Sequence, residues 1–360
     1  MTPETVEADR RGTAPHPRAT SVLYGQEAAE RLVLQALDSG RLPHGWLLTG
    51  PEGIGKATLA WRIARRLIAG EGADGSLAMD PGAPVFRALA QLASPRLFLA
   101  RRAWDEKARR LKAAIGVEEV RGLKGFFQLS ATDGGWRVAI VDAADEMTPA
   151  AANALLKILE EPPPRAALLL VAHQPARLLP TIRSRCRTLA LRPLDDADLA
   201  RAAGAAGRTE ALDPQVVALA AGSVGTALDL AEGGGADLYD ALTRLLAEAP
   251  GLSRTRAITL AERCAGRDGQ DQLLLRLTRL ALMRLALAGA GAPRPLAGAG
   301  EAALTARLGQ TPAQARIWAE AAPALVGRAE AARAVNLDPA QVILDMLFAI
   351  DAAAARALAA

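Results

Sequence analysis

Apolar and polar positions along this chain of 360 residues follow two regimes. As far as about residue 193, short unbroken apolar runs alternate with stretches of helical period. The runs are Trp46-Leu47-Leu48, Arg96-Leu97-Phe98-Leu99, Val138-Ala139-Ile140-Val141-Asp142, Ala167 to Ala172, and Thr188-Leu189-Ala190-Leu191. Continuous runs of this length predict strands covered on both faces, as in a parallel sheet. Between them, an amphipathic helix is expected from Gly25-Gln26 to about Ser39, with Ala29, Leu32, Val33, Leu34 and Leu37 on its apolar face and Gly40 ending it. Further helices are expected over Thr58–Leu67, over Val117–Leu129 with Phe126 and Phe127 in the core, and over Pro149–Glu161. The last has Thr148 as its N-cap and Pro162-Pro163-Pro164 as its stop. Strand and helix in alternation predict an α/β fold, a doubly wound parallel sheet.

Past Pro193 the strand pattern is gone. Residues 195–232 read as a small helical unit, Gly233-Gly234-Gly235 as a joint, and 237–350 as helices interrupted near Pro293-Arg294-Pro295. The stretch Leu273–Leu287 is apolar on more than one face. That predicts a bundle burying surface against partners as well as within itself. Gly70 to about Pro95 has weak periodicity and reads as an insertion or long loop. The expected division is a disordered leader over 1–18, a sheet domain over 19–193, a small helical domain over 194–235 and a larger one over 236–360.

Composition narrows the function classes. Hydrophobic residues make up 51% and charged residues 23%, with a net charge of +4: an ordinary globular balance, with too small a positive excess to demonstrate nucleic-acid binding. The two cysteines, Cys186 and Cys264, and three scattered histidines offer no ligand spacing, so neither a disulfide scaffold nor a zinc site is expected, and no metal site. No apolar run is long enough to span a bilayer and no signal segment is seen; a cytoplasmic protein is expected. The basic stretch Arg101, Arg102, Lys107, Arg109, Arg110, Lys112 reads equally as a solvated helix face or as a contact to phosphates.

The candidate chemistry sits at Gly50-Pro51-Glu52-Gly53-Ile54-Gly55-Lys56-Ala57-Thr58, between a strand and a helix. Glycines there let backbone N–H groups close on an anion, and Lys56 is placed to reach phosphates. Ala57 stands where a hydroxyl would hold Mg²⁺. Thr58 cannot replace it, because one residue along a helix rotates the side chain by about 100°. Asp142, closing an apolar strand, has two readings: a metal-water ligand of the phosphate site, or an acid satisfied by local N–H groups.

Asn153-Ala154-Leu155-Leu156-Lys157, Leu159-Glu160-Glu161-Pro162-Pro163 and Ser184-Arg185-Cys186 together resemble the clamp-loader subunits of bacterial DNA polymerase III, most closely the delta-prime type. The resemblance spans about residues 20–230. It implies an AAA+ P-loop domain, a helical lid and a helical collar through which subunits join. It implies partners too: gamma/tau and delta types in a heteropentameric ring, the sliding clamp and, through the complex, primed DNA. Motor subunits of this family carry Asp-Glu at the strand end, a sensor Thr and a lid Arg; those positions are Asp142-Ala143, His173 and Gly225 here. ATP or ADP is therefore expected to be held, if at all, without efficient hydrolysis. Arg185 falls at the family's arginine finger, which reaches into a neighbour's ATP site, with a plain salt bridge as the other reading. The rival functions are a motor subunit of gamma/tau type, against which Ala57 and Ala143 speak, and a stand-alone DNA-binding AAA+ ATPase.

Overall fold

A computed structural model describes residues 7–10, 14–70, 75–107, 109–128, 134–266, 269–292 and 294–360. Residues 1–6 and 11–13 of the expected leader, Leu129 at the expected end of its helix, 71–74 of the expected loop, and Pro293 lie outside the described residues. The chain divides into two compact units, Met1–Glu210 with Gly222–Gly225, and Ala211–Ala221 with Thr226–Ala360.

In the first unit, β1 (Gly45–Thr49), β2 (Leu97–Arg101), β5 (Arg137–Asp142), β6 (Ala166–Ala172) and β7 (Arg187–Ala190) form one parallel sheet in the order β2-β5-β6-β1-β7. Every residue of β6 is buried, as its unbroken apolar run requires. One face, with Trp46, Leu48, Ile140, Leu169 and Val171, packs on α1 (Glu27–Asp38) and α2 (Lys56–Ala69). The other, with Leu47, Ala139, Val141, Leu168 and Leu170, packs on α4 (Val117–Gln128) and α5 (Pro149–Glu160). This alternation is the period of two along each strand. Each fully buried Leu, Ile or Trp contributes about 1.5–3 kcal/mol. Register places Arg101 beside Asp142, Asp142 beside Val171, and Thr49 beside Ala172. The carboxyl ends of the strands thus share one rim, where ligands of open parallel sheets bind.

Three sequence expectations take a different form. The Gly70–Pro95 stretch contains a helix, α3 (Pro84–Ala90), whose Phe86 and Leu89 are buried and whose Phe86 ring lies 4.0 Å under the Arg65 guanidinium. It was hidden by its length of two turns and its Gly and Pro flanks. The basic stretch is no helix face: Trp104–Asp105 (β3) and Arg110–Leu111 (β4) pair as an antiparallel hairpin. Within the expected leader, Glu7 pairs with Arg18 at 2.8 Å and Arg101 at 2.6 Å, and Arg101 also pairs with Asp9. Arg65 of α2 donates to the Thr20 carbonyl at 2.9 Å, so this end of the described chain is held to the sheet unit.

α6 (Pro180–Arg183) and α7 (Asp196–Ala205) belong to the first unit, while α8 (Pro214–Ala220) and most of α9 (Val224–Glu232) belong to the second. The structure therefore divides the chain inside the expected 194–235 domain. Three contacts explain the placement of its second half: Gln215 donates to the carbonyls of Ala236 (3.2 Å) and Ala297 (3.1 Å), and Gly233 packs on Leu273. The second unit continues with α10 (Gly235–Leu246), α11 (Arg254–Ala265), α12 (Gln270–Gly289), α13 (Ala299–Leu308), α14 (Pro312–Ala334) and α15 (Pro339–Ala359). α12 is apolar on several faces because α10, α11, α13, α14 and α15 all pack on it inside this unit. Arg284 of α12 and Glu301 of α13 form a buried pair at 2.5 and 3.0 Å, with side chains 3% and 4% exposed. Among the described residues no helix is long and apolar enough to cross a membrane.

Candidate functional site

The loop after β1 has the backbone form that a phosphate-cradling loop needs. Gly50 takes φ 135°, and a Cβ there would stand 2.7 Å from both the Leu191 carbonyl oxygen and Ile54 Cδ1, so the turn closes only on glycine. α2 starts at Lys56, directing its N-terminal N–H groups and positive dipole end at the loop. The Lys56 ammonium is buried at 3% exposure and donates to the carbonyls of Gly50 (2.7 Å) and Pro51 (2.5 Å). A phosphate drawn into the loop would compete with those carbonyls for it. The residues present fit a phosphate group on these grounds. They supply no hydroxyl at position 57 for a magnesium ion, and the side chain of Thr58 leaves α2 in another direction.

Further contacts brace the loop. Gln26 donates to the Arg192 carbonyl at 2.7 Å and to the Ile54 carbonyl at 3.4 Å, and accepts from Arg192 N at 3.2 Å. The segment Gly222–Gly225 adds two contacts: the Ser223 hydroxyl donates to the Glu52 carbonyl (2.8 Å), and Gly225 N to the Gly53 carbonyl (3.0 Å). Gly225, having no side chain, meets the loop through its backbone. Sequence reasoning missed Gln26; a lone polar residue opening an amphipathic helix was the available signal.

Asp142 ends β5 on the same rim, buried at 9% exposure. Its acidity is weakened to a pKa of about 7: burial raises it most, the charge of Asp9 raises it further, and the Lys56 ammonium pulls the other way. Near neutral pH this carboxyl is therefore poised between its two forms. Asp145, three residues on, accepts from the backbone N of His173 (3.0 Å) and of Gln174 (2.8 Å), and Glu146 pairs with Arg102 at 2.7 Å. Those two acids are engaged in local structure. Asp142 is the one that register and charge bring near Lys56. Asp9 was also missed, because it lies in a stretch without periodicity.

Arg185 follows α6 and precedes β7, away from the loop in sequence and with its side chain 36% exposed. It donates to the Thr181 carbonyl at 3.1 Å and pairs with Glu160 at 3.0 Å, so the salt bridge that sequence offered as its plainer reading is present. Cys186, next to it, is buried, its thiol pushed up to about 12 by burial, and packs as a small hydrophobe.

Residues 25–195 match the family described as DNA polymerase III, delta subunit. Over 147 residues the chain is 42% identical to the delta' subunit of DNA polymerase III from Pseudomonas aeruginosa, covering 40% of this chain and 41% of that one. That segment is similar to the delta' subunits of DNA polymerase III. A 177-residue stretch is 31% identical to the gamma/tau subunit of Mycobacterium tuberculosis, covering 47% of this chain and 28% of that one. Among solved structures, a gamma subunit-related protein of Thermotoga maritima is similar with a TM-score of 0.41 and 18% identity, over 89% of this chain and 99% of that one. The chain spans about two fifths of the length of the Pseudomonas relative. The P-loop, Asp142 and Arg185 all lie within the delta-prime-like segment.

Proposed function

We propose that this chain is a delta-prime-type subunit of a DNA polymerase III clamp loader, a stationary member of a ring with gamma/tau- and delta-type subunits that helps load a sliding clamp onto primed DNA in the cytoplasm. The residues at Gly50–Thr58 with Asp142 would hold ATP or ADP through backbone N–H groups and Lys56, with little or no turnover. Phosphoryl transfer depends almost wholly on positioning and electrostatics, so the substitutions at Ala57, Ala143 and Gly225 remove a metal ligand, a water-orienting acid and a charge clamp together. What remains fit for catalysis is Arg185, half-exposed, permanently charged and planar, able to meet charge developing on a neighbour's phosphoryl oxygens.

The observation that carries this reading is a phosphate loop with sound geometry and no hydrolytic partners, in the same segment as an exposed Arg185. In the reconstituted complex, Arg185→Ala should leave the chain folded and lower ATP turnover at the site it serves, an arginine finger being worth about 10³–10⁵ in this chemistry. The isolated chain should turn over ATP negligibly. An unchanged complex rate, or motor-like turnover by the isolated chain, would refute it.

A further inference from the structure

α5 ends on two acids, Glu160 and Glu161, before its proline stop. The C-terminus of a helix carries the negative end of the macrodipole, which favours cations there and disfavours carboxylates. Glu160 runs against that preference, and the structure gives it a compensating partner in Arg185 at 3.0 Å. The pair is half-exposed, with side chains 50% and 36% accessible, so a surface from another subunit could reach it.

The backbones carrying the two charges are fixed far more firmly than the side chains. The His44 ring donates to the Leu159 carbonyl at 3.1 Å, tying the end of α5 to the start of β1. At the next residue, Gly45, a Cβ would meet Leu159 Cδ2 at 2.8 Å, Cys186 Sγ at 3.2 Å and the Arg185 carbonyl oxygen at 3.4 Å. Absence of a side chain at Gly45 is what lets residues 159 and 185–186 close on the same point of the sheet. Two anchors then act on the guanidinium itself: the Thr181 carbonyl takes Nη1 and the Glu160 carboxylate takes Nη2. A planar fork held at two terminal nitrogens loses less freedom when it meets a third, anionic group.

We infer that Glu160 is a positioning residue for Arg185, orienting its guanidinium toward the triphosphate of the adjoining subunit. This rests on the finger role proposed for Arg185. In this role Glu160 acts only through Arg185.

The test uses the full chain in the reconstituted clamp-loader complex, with Glu160→Gln, Arg185→Ala and the double variant, each titrated with ATP. An exposed ion pair is worth little, so Glu160→Gln should lower kcat about two- to fivefold, with KM for ATP little changed. It should have no further effect in the Arg185→Ala background, and its thermal midpoint should not fall. Wild-type turnover in Glu160→Gln, while Arg185→Ala is impaired, would overturn this inference and leave the finger standing. Raised turnover would also overturn it, showing that the carboxylate competes with the triphosphate for Arg185. An equal loss with and without Arg185, or a midpoint lowered by several degrees, would assign Glu160 to the fold instead. If Arg185→Ala itself is silent, the proposed function fails and this inference with it.

Discussion

Asp142→Asn gives the strongest quantitative test of the sheet rim. The carboxyl titrates near 3.8 when unperturbed and at about 7 in the folded chain, a rise of roughly three pH units caused first by burial and then by Asp9. At 1.36 kcal/mol per unit, burying the ionised form costs about 4 kcal/mol. The sign follows from the direction of the shift. Below pH 4 the group is protonated whether folded or not and the cost is absent. Between pH 4 and 7 the unfolded chain ionises first, so the folded state loses stability as pH rises; above 7 the loss is complete. Asparagine carries no charge and escapes this loss. Relative to wild type, Asp142→Asn should therefore gain stability steadily from pH 5 to pH 7 and level off by pH 8, by roughly 3 kcal/mol in all. For a domain of this size that is a relative Tm increase of about 6–12 °C, on top of any constant offset from the amide. Calorimetric scans of both proteins at pH 5, 6, 7 and 8 measure it. A difference in Tm that is flat across this range, or one that shrinks as pH rises, would show that burial does not hold the proton on Asp142.

Two other perturbations address packing. Arg284→Met strands the Glu301 carboxylate, whose side chain is 4% exposed, and should cost about 3–5 kcal/mol in chemical denaturation, most of it recovered by adding Glu301→Leu. Gly45→Ala forces a methyl group against Leu159 and Cys186. It should lower stability by about 1–3 kcal/mol and reduce turnover of the complex by displacing Arg185; a neutral Gly45→Ala in both measurements would show that the junction has room to yield.

The sheet was legible in the sequence because its three central strands, β5, β6 and β1, are buried on both sides. Five unbroken apolar runs, with β6 buried throughout, leave no competing period, and all five appear as parallel neighbours. The N-cap at Thr148 was equally readable, and its hydroxyl accepts from Ala151 N at 3.3 Å. The hairpin of β3 and β4 was not, since strands of two residues carry no period at all and six cations in twelve residues look like a helix face. At the site, the glycine loop and Lys56 could be read from spacing, because the backbone conformation itself demands those residues. Gln26, Asp9 and Glu160 could not. Each works through a partner distant in sequence, and pairings such as Gln26 with Arg192 or Glu160 with Arg185 exist only once the sheet brings them together.

Cys186 and Cys264 are both shielded from solvent within the packed interior, and the Cys186 thiol keeps its proton far above neutrality. Maleimide and related probes react with thiolate, so the native chain offers them almost nothing. A single cysteine introduced at exposed Ser184, immediately before Arg185, would be the preferred attachment point for a dye. Its emission could then report, during assembly and without removing either natural thiol, when a neighbouring surface settles over that corner of the molecule.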